Sequence, residues 1–186
     1  MACALVALNS TTGCPDNEGG VQYSYVAKLD TDLTAITITS GQISGLTMAS
    51  TGLWKKLQYD KDGTAYFNAT GERINDTGPL RYSQEGLIKF GGFTNAYKGF
   101  ADDAGDCCKL VFIHVLTNGA LVLQGLEIDT TATGNYTGTK TNDTKITPSL
   151  LAGTSEEEAR LEVLIRGKSK KLPPFTTLTP AAIEAL

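Results

Sequence analysis

Residues 107–129 read CCKLVFIHVLTNGALVLQGLEID, two runs rich in apolar residues on either side of Asn118-Gly119. Asn-Gly between such runs is a strong hairpin signal, because both central residues of a type I′ turn need positive φ. A two-residue turn pairs Leu116 with Leu121, His114 with Leu123 and Phe112 with Gly125 on one face. The other face then sets Val111, Ile113 and Val115 against Leu126, Gln124 and Val122. Both faces are largely apolar. A hairpin with one wet face alternates apolar and polar residues, and this one does not. Something must therefore cover it on both sides.

The chain has 186 residues, enough for one domain that buries roughly 70% of its unfolded surface without metal or disulfide staples. Its formal net charge is -4 and no basic block interrupts it, which argues against sequence-specific DNA binding as its main task. A mildly acidic surface still suits a protein past which DNA must slide. The first ten residues, MACALVALNS, lack the basic start and apolar length of an export signal, and no run approaches the ~20 apolar residues of a membrane span. The expectation is a soluble protein made in the cytoplasm. Cys3, Cys14, Cys107 and Cys108 make a poor disulfide framework and read as thiols. The Asn-X-Ser/Thr sites at Asn9, Asn68, Asn75, Asn135 and Asn142 are expected by chance in a chain with 25 threonines. Those threonines, being β-branched, lean the composition towards strands.

Residues 1–20 read as an irregular N-terminal arm. From Val21 the pattern has period two, with Val21, Tyr23, Tyr25 and Ala27 on one side and polar Gln22, Ser24 and Lys28 on the other. Further strands are expected at 34–39, 42–48 and 81–90, the last interrupted at Gly86. Residues 54–59 and 64–68 flank Asp60-Lys61-Asp62-Gly63 and read as a second hairpin; the two aspartates lack the remaining ligands of a calcium loop. Residues 69–79 and 130–148 read as loops. Phe93, Tyr97 and Phe100 recur at spacings of four and three, which predicts a short amphipathic helix over 93–103. Residues 159–166 give a last strand, with Leu161, Val163 and Ile165 on one face. Pro173-Pro174 then imposes an extended path, and Thr179-Pro180 starts a short terminal helix that must dock on its own domain or a neighbour. The expected fold is mainly β: a sandwich or barrel of about eight short strands over 21–167 with one short helix, an N-terminal arm 1–20 and a C-terminal arm 168–186.

The search for chemistry finds little. Cys107, Cys108 and His114 are the nucleophile and base candidates, but His114 falls in mid-strand and reads as a packed histidine. No Cys-x-x-Cys or His-x-x-x-His spacing supports zinc. Asp102, Asp103, Asp106 and Glu156 to Glu158 sit at element ends and read as solvated turns. Phosphate-binding loops are absent, and the lysines Lys55-Lys56 and Lys168 with Lys170-Lys171 build no nucleic-acid stripe. The expectation is a protein that is not an enzyme and carries no cofactor or metal. Apolar strand surface and terminal arms point instead to assembly.

The order of these features resembles the tail tube (major tail) proteins of tailed bacteriophages. It runs GGVQYSYVAKLD, a W-x-x-x-Q-Y segment, a short helix, KLVFIHVLTNGALVLQGLEI, the loop TATGNYTGTK and a last strand ARLEVLIRG, together covering most of 18–175. The resemblance implies hexameric rings stacked into a tube, with inner sheets joined into a continuous barrel through which viral DNA passes without specific contact. It places the chain in the virion tail, assembled in the host cytoplasm beside a sheath or terminator and a baseplate, and away from membranes. On this reading the assembly residues are Trp54, Tyr59 and Phe67 in a projecting hairpin, Val111, Ile113, Val115 and Val122 on the second face of the main hairpin, and Phe175 and Ile183 in a subunit-clasping arm. An acidic lumen would keep the DNA mobile. A capsid decoration or head-to-tail completion protein shares the β composition and arms; a secreted adhesin is the more remote alternative.

Overall fold

The computed structural model describes residues 20–29, 31–50, 52–58, 65–73, 78–92, 94–106, 110–126, 134–136, 145–151, 159–170 and 172–186. In chain order the elements are β1 (Val21–Lys28), β2 (Leu33–Thr39), β3 (Gln42–Met48), β4 (Lys55–Gln58), β5 (Tyr66–Arg73) and β6 (Leu80–Gly91). Then follow α1 (Asn95–Asp106), β7 (Leu110–Leu116), β8 (Leu121–Gln124), β9 (Gly134–Tyr136), β10 (Lys145–Leu151), β11 (Arg160–Ser169), β12 (Phe175–Thr176) and α2 (Pro180–Glu184). The strands form two sheets, one ordered β4-β1-β7-β8-β12-β3-β2-β9 and a smaller one ordered β10-β11-β6-β5. The protein is mainly β, with two short helices.

The hairpin β7–β8 forms, but in a different register from the one its turn suggests. Phe112 faces Gln124, Ile113 faces Leu123, His114 faces Val122 and Val115 faces Leu121. Leu116 N–H donates to the Ala120 carbonyl at 2.8 Å and Gly119 N–H to the Leu116 carbonyl at 2.9 Å, so the loop has three residues, 117–119. Gly119 alone has positive φ there, at 81°, while the Asn118 side chain accepts from the Ala120 N–H at 3.0 Å. Three-residue loops with a left-handed glycine in third place are the next commonest hairpin after the primed two-residue turns. The one-residue change moves Val122 and Gln124 to the same face as His114. A two-residue turn occurs instead at Ser40-Gly41, with φ of 51° and 77° between paired Thr39 and Gln42.

Two cores answer the problem of the doubly apolar hairpin. Leu110 and Phe112 point into a core shared with the smaller sheet, where Ile88, Phe90, Leu161, Val163 and Ile165 are buried, and α1 adds Tyr97, Phe100, Ala101 and Ala104. Val111, Ile113, Val115, Leu121 and Leu123 point the other way, into a second core with Ile36 and Ile38 of β2 and Ile43 of β3. Since β2 and β3 belong to the same sheet as β7, that sheet curls over on itself. Ile183 of α2, 1% exposed, closes this core. Thr179 caps α2, its side chain accepting from the Ala182 N–H, and Pro180 opens it. Tyr25 Oη and Lys56 Nζ both donate to Glu184, at 2.7 and 2.9 Å, and fix the helix against β1 and β4. Burial, then the bond to Glu184, pushes the Tyr25 hydroxyl pKa up.

Several sequence expectations are revised. The face of β1 expected to be polar is wet only at its ends, Gln22 and Lys28: a register shift between Val21 and Tyr23 turns Val21 into the first core, and Ser24 is fully buried. Residues 54–68 do not make a hairpin, because β4 pairs with β1 and β5 with β6, in different sheets. β5 also runs on through 69–73, and β6 continues unbroken through Gly86. β10 begins in the segment read as loop, 130–148, and runs past it to Leu151; its Pro148 is tolerated because β10 lies at a sheet edge. The C-terminal segment lies against its own domain: β12 fills the place between β8 and β3. The helix over 93–103 is present as α1, with Thr94 capping it by accepting from the Tyr97 N–H at 3.1 Å. Phe93 and the segments 1–19, 59–64, 107–109 and 152–158 lie outside the described residues.

Because Ile183 closes a core of its own chain, Ile183→Ala should lower unfolding free energy by about 2–4 kcal/mol. Urea denaturation of the purified protein measures this, and a loss below about 0.5 kcal/mol would show that α2 rests on the surface.

Candidate functional site

The one histidine of the chain sits in a buried polar bridge between the two sheets. Ser24 of β1 lies directly across from His114 of β7, and its Oγ is 2.7 Å from Nδ1. On the other side Nε2 is 2.8 Å from Gln124 Oε1, and Gln124 Nε2 donates to the Ile165 carbonyl of β11 at 3.3 Å. Because the Gln124 amide group donates to that carbonyl, its oxygen must accept, so Nε2 carries the proton and Nδ1 accepts from Ser24. Phe67 and Phe112 stack on the ring at 5.0 and 6.0 Å. His114, Ser24 and Gln124 are all fully buried. Burial lowers the His114 pKa to about 4, against a smaller upward effect of the bond to Gln124.

A serine hydroxyl bonded to an imidazole is the start of a nucleophile–base pair. Here it has no approach for a substrate, and the far nitrogen meets an amide rather than a carboxylate. The cluster satisfies its own polar groups and joins the sheets. Gly86 of β6 makes room for it: a Cβ there would lie 2.9 Å from Gln124 Oε1 and 3.6 Å from His114 Nε2. That is why β6 passes through a glycine without a break. Cys107 and Cys108 lie outside the described residues, and no group of three or more metal-ligating side chains occurs among the described ones.

The residues expected to mediate assembly divide sharply. Val111, Ile113 and Val115 are at most 3% exposed and belong to the second core, as does Ile183, so their own chain already covers them. Val122 is buried on the opposite face, beside His114. Trp54 packs on the second core, while Phe67 packs on the first and lies in a different sheet. Tyr59 lies outside the described residues. Phe175 alone is well exposed, at 50%. With Leu80, Leu172 and Pro173 it borders an open groove of about 580 Å³ between the end of β6 and the β2–β3 turn.

The outward face of the smaller sheet carries charge, and sequence reading missed its arrangement. Tyr66 Oη and Arg166 Nε donate to Glu85 at 2.6 and 2.8 Å, which holds the Glu85 carboxyl below its usual range. Glu162 takes Arg160 at 2.8 Å and Lys89 at 3.2 Å. Farther along, Arg81 and Lys168 join no ion pair among the described residues. They come from two strands whose separation in sequence hides their proximity, and only the register of β6 and β11 brings them to one face. The outward face therefore has no acidic character.

No protein-family model, curated protein or solved structure matches this chain.

Two predictions follow from the buried bridge. The unfolded histidine titrates near 6.5 and the folded one near 4, so the unfolded state binds more protons between these values. Stability should be full above about pH 6.5 and fall as pH drops towards 4, by about 2 kcal/mol between pH 6.5 and 5. Thermal melting of the native protein and of His114→Gln across pH 5–7 isolates this slope, which should be nearly absent in the variant; a flat native profile would refute it. Gly86→Ala should cost about 1–3 kcal/mol by overpacking, and less in a Gln124→Ala background. A double-mutant cycle in urea reads the difference, and equal costs in both backgrounds would mean the bridge does not set the need for glycine.

Proposed function

We propose that this protein is a structural, self-assembling subunit of a phage tail tube, in which copies close into rings, rings stack, and DNA passes through the channel. The resemblance in the order of sequence features supports the reading, as does the burial of the only described hydroxyl–imidazole pair. The observation that carries it is the state of the four sheet edges.

An edge strand presents unpaired backbone N–H and C=O groups, and soluble proteins blunt such edges with short strands, lysines or proline. Three edges here are blunted in these ways. β4 has four residues and begins with Lys55-Lys56, β9 has three residues, and β10 contains Pro148. β5 is different: it has eight residues and no proline, and no described strand pairs with its outer side. A long open edge of this kind is a template for another strand. Pairing it with a different edge of the next copy is a head-to-tail contact, which closes a ring when the rotation permits. The exposed Leu80 and Phe175 lie near the end of this sheet and add apolar area to such a contact.

Electron microscopy of the purified protein tests the class. Stacked rings with a central channel are expected; a monomer over a wide concentration range would defeat the proposal, and rings that never stack would favour a head-to-tail completion protein. Proline replacements at Asn68, Ala69 and Thr70 test the edge, because N–H groups along β5 point alternately to β6 and to the open side. At positions pointing outward the melting temperature should hold within a few degrees while assembly is lost. Assemblies of normal size in all three variants would remove β5 from the contact.

A further inference from the structure

Next to the open end of β5 the outward face of the smaller sheet dips into a hollow of about 160 Å³, lined by Glu72, Arg73, Arg81, Tyr82, Ser83 and Lys168. Strand register explains the grouping. Ser83 of β6 lies directly across from Lys168 of β11, and Arg81, two residues earlier on the same face of β6, lies directly across from Glu72 of β5. Arg73 ends β5 across from Leu80, on the alternate face, and borders the hollow from there. The hollow is thus built from three neighbouring strands of one sheet, whose backbone hydrogen bonds hold the side-chain bases in place.

Its electrostatics are unlike the rest of the face. Each of the carboxylates Glu85 and Glu162 is taken up by at least one basic partner within 4 Å. At the hollow two cations, Arg81 and Lys168, share a face with one carboxylate, Arg73 borders it from the strand end, and no described ion pair includes any of the three. Glu72 is across the ladder from Arg81, yet the two do not meet within 4 Å. Like charges held together on a chain of net charge -4 create a local field that an anion relieves.

We propose that this hollow is a phosphate-binding site, taking the tetrahedral oxyanion of a free phosphate or of a nucleic-acid backbone. The Arg81 guanidinium supplies a planar fork that suits phosphate oxygens, Lys168 supplies a second charge, and Ser83 a hydroxyl donor. Arg81 and Lys168 against Glu72 leave an excess of one positive charge, which a singly charged phosphate group would balance. The hollow has the volume of about five liquid waters, enough for one such group with part of its hydration. The site is independent of edge pairing: it uses side chains, whereas assembly would use the backbone of β5.

Titration calorimetry with inorganic phosphate, against sodium chloride at matched ionic strength, tests the site in the full chain. Saturable binding is expected in the millimolar range or tighter, weakened about tenfold in Arg81→Ala and in Lys168→Ala and unchanged in Lys98→Ala, whose side chain is on α1. These are exposed positions, and equal melting temperatures confirm intact folds. Fluorescence anisotropy with a duplex DNA oligonucleotide, at 20 to 200 mM salt, distinguishes the sources. DNA binding whose salt slope falls by about one for each cation removed identifies the backbone as ligand. Phosphate binding without DNA binding identifies free phosphate or a phosphomonoester. Binding of neither probe, or binding that survives both substitutions, overturns the proposal whether or not the protein forms rings.

Discussion

Burial of both faces of one hairpin is the constraint on which the other elements depend. β7 and β8 supply apolar side chains in two directions, so the chain must build two cores around them rather than one. The smaller sheet and α1 cover one side. For the other side no second sheet is used: the large sheet curls until β2 and β3 face the strands from which they are separated in the ladder. The curl leaves a place between β8 and β3, which β12 fills, and an opening at the end, which Ile183 fills. The last fifteen residues are therefore part of the folding problem and its solution.

The polar bridge shows how such a doubly covered hairpin keeps a single arrangement. An apolar strand pair can slip by one residue, and each slip exchanges the two faces. Here a slip would carry Gln124 and His114 into the second core, away from Ser24 and the Ile165 carbonyl, and leave buried donors and acceptors unpaired. The penalty for each is about 1–3 kcal/mol. The bridge specifies register at the place where the turn sequence points to a different one. In this competition the tertiary contacts prevail over the local preference of Asn118-Gly119 for a two-residue loop.

Legibility in the sequence follows the range of the interactions. Strands with strong alternation, such as β11 with Leu161, Val163 and Ile165, and the helix bearing Tyr97 and Phe100, are visible because their patterns are local. β5 beyond Asn68 is not visible, because NATGER has no apolar alternation and is a strand only through its ladder with β6. Asp60 to Gly63 reads as a tight turn, and nothing in those residues tells that the strands on either side enter different sheets. Gly86 reads as an interruption because the side chain it accommodates, Gln124, is 38 positions away. The cations of the hollow are invisible for the same reason: Arg81 and Lys168 share no segment, and composition shows only a chain with more acids than bases.

The division between what is buried and what stays open bears on how such a chain can assemble. The apolar residues that first suggest an interface, Val111, Ile113 and Val115, are consumed in the fold of their own chain, so these three are not available to a partner. What remains available is of another kind: the unpaired backbone along β5, a limited apolar rim at Leu80 and Phe175, and uncompensated charge at Arg81 and Lys168. Contacts of this kind are weak singly and depend on geometry. They favour association in which each copy repeats the same small contact many times, as in a ring or a stack, over an obligate dimer held by one large apolar face. In the proposed assembly the subunit would fold before it associates, which would separate the stability of the monomer from that of the assembly. A strand added to β5 would extend a sheet that is already complete in its own core, and the charge on that sheet's outward face would be multiplied around the ring with each copy.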